Sequence, residues 1–552
     1  MNSAIDITSE QRKTLVDLVR QYIPGVAVWA YGSRVKWTAR PNSDLDLVVF
    51  TAPAQNQLVS ELKNALAESE LPFLVDLHVW DEIPERFREI IRGEYVVIQK
   101  EMDEPISLFD LRIDGWDYTT LGEICAKGQG GVQTGPFGSQ LHASDYVAEG
   151  IPSIMPQNIG DNRIIRDGIA RITTEDAERL ERYRVRTGDI VYSRRGDVER
   201  RALVRSEEDG WLCGTGCLRV RFGSSDIDSA FASFYLGDPR VRSWIVRHAQ
   251  GATMPNLNTA ILSALPFVVP PIEEQRAIAQ ILSALDDKIE LDRKLNETLE
   301  AIARAIFKSW FVDFDPVRAK AEGREPEGMD ATTAALFPGA FKDSELGPIP
   351  QGWTIHGIDT IATFLNGIAL QKYPAMEGEE WLPAIKIAQL KCGSVDGADR
   401  ISPSIPEKYI VQDGDLLFSW SGSLEVEFWT GGKGALNQHL FKVFSAQFPQ
   451  WFVYLWLRFH LDGFREIAES KVTTMGHIQR HHLSEAIVVI PPPETLRGLD
   501  RFLGPLIEKV VAGRLQARTL ADLRDTLLPR LISGKLRVPE AEAMLMGGCH
   551  EV

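Results

Sequence analysis

In two long segments of the chain, apolar residues recur every three or four positions. In the stretches before them, apolar and polar residues alternate over much shorter spans. The first is "EEQRAIAQILSALDDKIELDRKLNETLEAIARAIFKSW", with apolar positions from Ile278 to Ile306. The second is "ETLRGLDRFLGPLIEKVVAGRLQARTLADLRDTLLPRLISGK", with apolar positions from Leu499 to Leu527. This period is typical of an amphipathic helix. Each segment therefore predicts a helix of about 40 residues, which would span roughly 60 Å.

The apolar faces of these two helices need a partner. Gly504, Pro505 and Gly513 lie inside the second one, where a proline costs about 3 kcal/mol and a glycine about 1 kcal/mol. Neither helix is stable alone in water, so we expect the two faces to pack together as an antiparallel coiled coil. The alternative is that each helix folds back on the strand-rich domain that precedes it.

The stretches before the two helices are copies of each other. "TGDIVYSRRG" and "TMPNLNTAILSALPFVVPP" in the first correspond to "DGDLLFSWSG" and "TMGHIQRHHLSEAIVVIPPP" in the second. The period, about 220 to 240 residues, is far longer than the roughly 20 to 50 residues of solenoid repeats. Each copy contains short β-rich runs separated by Gly, Pro, Asn and Asp. Two mixed, strand-rich domains are therefore predicted.

The duplicated region carries motifs of a known family. They are "TGPFGSQLHASDYVAEGIPSIMPQNI" (Thr134 to Ile159), "GDIVYSRRGD", "GTGCLRVRF", "LGPIPQGW" (Leu346 to Trp353) and the closing "LLPRLISGKLRV" (Leu527 to Val538). With them, the chain from about Trp116 to about Val538 resembles the specificity subunit of type I restriction-modification enzymes.

This resemblance implies two target-recognition domains, each reading one half of a split sequence in double-stranded DNA, with the helices setting the distance between the halves. It also implies that the catalytic groups belong to partners: two methyltransferase subunits that bind S-adenosylmethionine, and ATP-dependent restriction subunits. A stiff spacer suits such a target, because half-sites on one face of B-DNA lie about 34 to 36 Å apart per helical turn.

Arginines are the candidate DNA contacts, because a guanidinium fork fits both phosphate and guanine. In the first copy the candidates are Arg194, Arg195, Arg200 and Arg201. In the second copy the equivalent stretch "FSWSGSLEV" lacks arginines, and Arg480 and His481 are the candidates. The alternative is a solvated surface on which these arginines pair with neighbouring acids.

The first hundred residues lie outside the duplication and carry a different pattern, "WAYGSRVKWTARPNSDLDLVVF". Gly32 and Ser33 end one predicted strand, and Asp44 and Asp46 share one face of the next. A third apolar run, "LPFLVDLHVW", presents Asp76. Three carboxylates beside a glycine turn suit a divalent cation and the phosphates of a nucleotide.

This pattern resembles the minimal nucleotidyltransferase domains of the polymerase-beta-like superfamily, often found as antitoxins. The resemblance implies that Asp44, Asp46 and Asp76 bind Mg²⁺ and form the catalytic triad, and that Gly32 and Ser33 hold the phosphates of ATP. Such domains usually carry glycine where Trp37 lies. The alternative is an inactive domain kept for docking, with its acids simply solvated.

Composition limits the remaining possibilities. The net charge of −17 argues against a protein that coats nucleic acid nonspecifically, since that mode neutralises many phosphates. The five cysteines are too scattered for a disulfide framework. Without an apolar run near eighteen residues or a secretory signal, we expect a cytoplasmic protein that makes no contact with a membrane.

We therefore predict an α+β chain with a small N-terminal α/β domain, two strand-rich domains and two long helices. The expected boundaries are 1–105 for the nucleotidyltransferase-like domain, 106–270 and 346–492 for the recognition domains, 271–315 and 493–538 for the spacer helices, 316–345 for a linker and 539–552 for a tail. The main functional hypothesis is a DNA specificity subunit. The rivals are a Mg²⁺-dependent nucleotidyltransferase that acts on a protein or RNA, with the remainder as a targeting scaffold, and a coiled-coil scaffold that binds only proteins.

Overall fold

The computed structural model describes residues 5–23, 26–40, 43–50, 56–67, 71–80 and 94–99, isolated residues between 69 and 91, and then 113–250, 255–376, 379–470 and 476–547. The predicted boundary after residue 105 and the Thr-Met pairs 253–254 and 474–475 lie outside the described residues. The chain forms two compact units, residues 1–283 with 525–552 and residues 284–524. No helix within the described residues is long and apolar enough to cross a membrane.

The N-terminal domain is a four-stranded sheet with two helices. Its elements are α1 (Ser9–Tyr22), β1 (Val28–Tyr31), β2 (Leu45–Val49), α2 (Asn56–Ala67), β3 (Val75–Val79) and β4 (Val96–Gln99). The strand order is β3-β2-β1-β4, with β2 parallel to β3 and β1 antiparallel to both neighbours. Leu45, Leu47 and Val49 alternate into the main core, which also takes in apolar residues of both helices. Asp46 therefore lies on the opposite face of β2.

The first strand-rich domain is built around two four-stranded sheets. Its strands are β5 (Asp117–Thr120), β6 (Gly131–Thr134), β7 (Tyr146–Val147), β8 (Ile151–Ile154), β9 (Ala170–Ile172), β10 (Ile190–Ser193), β11 (Arg201–Leu203), β12 (Leu212–Cys213), β13 (Cys217–Arg221) and β14 (Pro266–Val269). Its helices are α3 (Leu121–Lys127), α4 (Thr174–Arg179), α5 (Ser229–Tyr235), α6 (Pro239–His248) and α7 (Thr259–Ser263). The sheet orders are β11-β10-β13-β6 and β12-β8-β9-β7, and β5 pairs with β14.

A long helix, α8 (Ile272–Phe307), follows directly, and a π-helical turn at Lys308–Val312 ends it. Two short helices, α9 (Asp315–Ala321) and α10 (Ala331–Ala334), lead into the second copy.

The second strand-rich domain repeats the topology of the first. Its strands are β15 (Phe341–Lys342), β16 (Ile349–Pro350), β17 (Thr354–Gly357), β18 (Thr363–Asn366), β19 (Leu382–Ile385), β20 (Arg400–Ile401), β21 (Ile410–Val411), β22 (Leu416–Ser419), β23 (Val426–Phe428), β24 (Gly434–Leu436), β25 (Leu440–Phe444) and β26 (Ile487–Ile490). Its helices are α11 (Ile358–Ile361), α12 (Ile387–Cys392), α13 (Gln450–Glu469) and α14 (Arg480–Glu485).

The two domains share most of their strand pairings, although in their second sheets β7 lies beside β9 and β21 lies beside β24. The sheet β23-β22-β25-β18 has the order of β11-β10-β13-β6 in the first domain, and β17 pairs with β26 as β5 does with β14. The parallel pair β19 and β24 corresponds to the parallel pair β8 and β12. The duplication predicted from the sequence is therefore a duplication of fold.

The second long helix, α15 (Pro493–Ile532), runs through Gly504, Pro505 and Gly513 without a break, and α16 (Val538–Gly547) follows it. Its first turns pack in the core of the second domain through Leu499, Leu503 and Ile507. Tertiary burial of this apolar face offsets the poor helix propensity of its glycines and proline.

The long helices also contact each other in antiparallel fashion. Arg524 pairs with Asp286 at 2.6 Å and Arg514 pairs with Glu300 at 2.6 Å, so the residue number falls along α15 as it rises along α8. The predicted antiparallel pairing is confirmed.

The buried face of α8 differs from the predicted one. Asp286, Asp292 and Asn296 are buried, whereas Leu295 and Ile302 of the predicted apolar stripe are exposed. The middle of the helix pair is therefore held by paired polar groups rather than by leucines.

Candidate nucleotide site and nucleic-acid interface

The N-terminal acidic site is built on the turn that follows β1. Gly32 has a φ of +83°, in the left-handed region that favours glycine. A Cβ added at Gly32 would lie 2.2 Å from the Oδ2 atom of Asp46. Glycine is therefore required here both by the backbone and by the carboxylate that packs against it.

The predicted acids come from adjacent positions of the sheet. Asp46 pairs across β2 and β3 with Asp76, and across β1 with Tyr31. Burial and then the charges of Asp76 and Asp44 raise the pKa of Asp46, while His78 lowers it. Burial, Asp46 and Asp76 raise the pKa of Tyr31 to about 12. The three carboxylates therefore lie close together and repel one another. A bound cation would reduce this repulsion.

Arg34 positions the loop that carries the acids, a role that the sequence did not reveal. Its guanidinium is buried and donates from Nε and Nη2 to the carbonyl of Ser43 at 3.0 and 2.7 Å, and from Nη1 to the carbonyl of Asp6 at 2.9 Å. Because Ser43 directly precedes Asp44, this arginine fixes the approach of the chain to β2.

Trp37 has a left-handed backbone, with a φ of +56°, and its indole is 54% exposed. This conformation favours glycine, the residue usual at this position in the domains that this one resembles. The indole contributes little to the core, and the tryptophan adds backbone strain to the turn.

The residues present fit a divalent cation. Asp44, Asp46 and Asp76 supply only carboxylate oxygens, which are the ligands that Mg²⁺ takes together with the phosphates of a substrate. Gly32 lets the backbone of the turn pack directly against the carboxylate of Asp46.

In the first strand-rich domain, Arg194 and Arg195 follow the end of β10. The backbone N–H of Arg194 donates to the carbonyl of Gly216 at 2.8 Å, and Gly196 closes the turn with a φ of +73°. Arg195 is exposed, and the guanidinium of Arg194 lies 5.9 Å from the ring centre of Phe137. Both arginines are therefore presented on one loop.

Within the described part of the chain, Nε of Arg194 and Oδ1 of Asn256 are buried side-chain atoms without a hydrogen-bond partner. An unsatisfied buried polar group costs about 1 to 3 kcal/mol, so a ligand that satisfies such groups gains affinity.

Arg200 and Arg201 lie in different surroundings from the Arg194 loop. Arg200 is exposed and its guanidinium pairs with Asp197 at 2.9 Å. Arg201 is 5% exposed and donates to Asp161 at 3.0 Å and to the carbonyl of Ser233 at 2.8 Å. Because these bonds hold the side chain of Arg201 within the domain, it is the least suited of the four candidates to contact DNA.

Arg480 and His481 are both exposed at the start of α14. Possible ligand atoms of His481, His482 and Glu485 lie within 4.8 Å of one another. However, Nδ1 of His482 accepts a hydrogen bond from the backbone N–H of Gln479 at 2.9 Å. The neutral ring then carries its proton on Nε2 and offers no lone pair to a metal. This group therefore does not make a metal site.

The loop of the second domain that corresponds to the Arg194 loop contains Trp420 and Ser421. The indole N–H of Trp420 lies 3.2 Å from Oδ1 of Asn366, and Oγ of Ser421 lies 3.0 Å from Nδ1 of His439. These residues were missed as candidates from the sequence, although the alignment of "YSRRG" with "FSWSG" contained the signal.

Family comparisons match both parts of the chain. Residues 113–301 match the type I restriction modification DNA specificity domain, and residues 13–103 match the polymerase beta nucleotidyltransferase family.

Three relatives are similar to parts of the chain. It is 24% identical over 441 residues to the type I restriction enzyme HindI specificity subunit of Haemophilus influenzae, covering 70% of this chain and 95% of that protein. It is 28% identical over 437 residues to the MjaIX specificity subunit of Methanocaldococcus jannaschii, covering 77% and 94%. It is 44% identical over 108 residues to the probable protein adenylyltransferase MntA of Haemophilus influenzae, covering 19% and 95%.

The part of the chain that contains the duplicated fold and the helix pair is similar to type I restriction-modification specificity subunits. The N-terminal domain belongs to the polymerase beta nucleotidyltransferases. Both resemblances predicted from the sequence are confirmed.

Proposed function

We propose that this specificity subunit reads a split sequence in double-stranded DNA in the cytoplasm, with one strand-rich domain for each half. The observation that carries this proposal is the duplication of fold: two domains whose main sheets have the same strand order occur in one chain, which also contains two long helices that pair antiparallel. A duplicated reader suits a target made of two half-sites, and a helical spacer suits a fixed interval between them.

The test is protection of DNA by the chain purified together with its methyltransferase subunits. We expect two short protected half-sites separated by a spacer of constant length and variable sequence. Protection of one continuous site would contradict the proposal. A protein-only scaffold predicts no sequence preference even at low salt, where nonspecific binding is strongest.

The exposed side of α8 supports the proposed binding of two methyltransferase subunits, which bring S-adenosylmethionine, and of ATP-dependent restriction subunits. Leu291, Leu295 and Ile302 are 60%, 40% and 43% exposed and recur at helical spacing on one side of the helix. An exposed apolar row of this kind marks a protein contact.

The substitution Leu295→Glu should reduce copurification of the methyltransferase subunits. The matched control is Leu346→Glu, since Leu346 is 54% exposed and lies outside the long helices. Equal copurification of both variants would contradict a contact at this row.

For the N-terminal domain we propose a Mg²⁺- and ATP-dependent nucleotidyl transfer to a protein or RNA. Asp44, Asp46 and Asp76 would hold the metal, which polarises phosphoryl oxygens when bound. Gly32 and Ser33 would hold the phosphates, because the turn that they form lies directly beside the carboxylate of Asp46. The pairing of Asp46 with Asp76 across β2 and β3 supports this arrangement, because it places two of the acids side by side.

Incubation of the full chain with labelled ATP and candidate acceptors tests this second activity. Transfer should be lost in Asp44→Asn and in Asp76→Asn, and retained in Asp17→Asn, which changes an exposed acid on α1. If the wild-type protein transfers no label under any condition, the domain serves for docking.

A further inference from the structure

In the first strand-rich domain, three loops meet at the end of β10, and we call this group the first reading site. It consists of residues 193–196, 214–216 and 255–257. The N–H of Arg194 donates to the carbonyl of Gly216 at 2.8 Å, and the N–H of Leu257 donates to the carbonyl of Arg194 at 2.9 Å. The N–H of Gly196 donates to the carbonyl of Pro255 at 3.2 Å.

The second strand-rich domain repeats these bonds at the end of β22, in what we call the second reading site. It consists of residues 419–422, 437–439 and 476–478. The N–H of Trp420 donates to the carbonyl of His439 at 3.3 Å, and the N–H of Ile478 donates to the carbonyl of Trp420 at 3.0 Å. The N–H of Gly422 donates to the carbonyl of Gly476 at 2.9 Å. The backbone of the two sites is therefore the same.

The side chains on this shared backbone differ at four positions. The pairs are Arg194 and Trp420, Arg195 and Ser421, Asn256 and His477, and Gly216 and His439. The bridge between the loops joins Arg195 to Asn256 in one domain and Ser421 to His477 in the other. One site thus offers two guanidinium groups and an amide, and the other offers an indole and two imidazoles, with the buried hydroxyl of Ser421 bonded to His439.

Folding of the domains does not account for these differences, because the strands beneath keep their order and pairing in both copies. In the first site, the polar atoms Arg194 Nε and Asn256 Oδ1 also lack partners among the described residues. Two domains that recognise different base sequences can share one backbone but need different polar side chains, because hydrogen-bond donors and acceptors distinguish base edges.

We infer that these reading sites determine which bases each domain recognises, with Arg194, Arg195 and Asn256 selecting one half-site and His439 and His477 selecting the other. The inference rests on the proposed function, because it requires that each domain reads one half-site. The first half-site then contains guanine opposite the arginine forks, the commonest specific contact in the major groove. The second half-site is selected by imidazole groups, and the buried Ser421 holds His439 in place through a hydrogen bond of 3.0 Å.

The experiment uses the full chain in complex with its methyltransferase subunits and a plasmid library in which each half-site is randomised in turn. Methylated products are sequenced to give the preference at each half. Arg195→Ala should lower discrimination about 10- to 100-fold at one half-site and leave the other unchanged, and His477→Ala should do the reverse. Arg195→Lys should behave like Arg195→Ala, because lysine keeps the charge but loses the fork.

Matched controls are Arg179→Ala in the first domain and Lys386→Ala in the second, which are exposed cations paired with acids outside the reading sites. Both should leave both preferences intact, and thermal unfolding should show that all variants are folded. The inference is overturned if Arg195→Ala and His477→Ala alter the same half-site, or if folded variants alter neither. If the wild-type complex shows no preference for a sequence made of two half-sites, the proposed function is wrong as well. This result differs from a failure of the inference alone, in which the wild-type complex keeps that preference.

Discussion

Removal of Arg514 should destabilise the second unit. This arginine lies on α15 and donates to Glu300 on α8 at 2.6 Å and to Glu427 on β23 at 2.8 Å. The side chains of Arg514, Glu300 and Glu427 are 27%, 14% and 23% exposed. Burial alone lowers the pKa of Arg514, but the carboxylates of Glu427 and Glu300 outweigh it and raise that pKa above its ordinary value. One cation therefore joins both long helices to the sheet.

The change Arg514→Leu removes the cation that pairs with Glu300 and leaves Glu427 with Arg458 alone, at 3.3 Å. Removing one partner of a buried ion pair costs about 3 to 5 kcal/mol, and we take the lower end because a quarter of the arginine is exposed. For a unit of this size, about 3 kcal/mol corresponds to a fall in Tm of about 6 to 12 °C. Differential scanning calorimetry of the full chain measures it.

Arg293→Leu is the matched control. Arg293 also lies on α8 and also pairs with two glutamates, Glu290 and Glu297, but its side chain is 53% exposed. Exposed pairs of this kind contribute about 0.2 to 1 kcal/mol, so the control should shift Tm by at most a few degrees. An Arg514→Leu variant that unfolds within about 2 °C of the wild type would refute the reasoning.

Further substitutions test the helix pair and the acidic site. Gly513→Ala should destabilise despite the better helix propensity of alanine, because its Cβ would lie 2.4 Å from Oδ1 of the buried Asn296. Gly463→Ala, in α13 with nothing within 4 Å, should instead stabilise by about 1 kcal/mol, and equal effects in chemical unfolding would contradict both expectations. Asp46→Asn should stabilise the metal-free N-terminal domain at neutral pH. The pKa of Asp46 is higher in the folded protein than in the unfolded chain, so its ionised carboxylate destabilises the fold at a pH above both values. The extra stability of the variant over the wild type should vanish as the pH falls through the raised pKa of Asp46. A stability difference that does not change with pH would contradict this expectation. Gly32→Ala should abolish binding of Mg²⁺-ATP measured by calorimetry, since its Cβ would displace the carboxylate of Asp46.

The candidate sites show where sequence reasoning succeeded and where it stopped. Gly32, Asp44, Asp46 and Asp76 belong to a local pattern of strand, turn and strand, and side-chain alternation is enough to gather the acids on one face. Arg201 was indistinguishable in sequence from its neighbour Arg200, yet it is buried in bonds to Asp161 and Ser233. Its partners lie far away along the chain, so no local pattern could reveal them.

The duplication and the two long helices followed from periodicity, since an apolar period of three to four residues specifies a helix wherever it occurs. The face that each helix buries depended on the whole fold. Along α8, Asp286 is buried because Arg524 on α15 compensates its charge. Leu295 and Ile302 stay exposed because they lie on the side of α8 away from that contact. The pairing of Trp420 with His439 likewise required β22 and β25 to lie side by side, since hydrogen bonds between strands bring together residues that are distant in sequence.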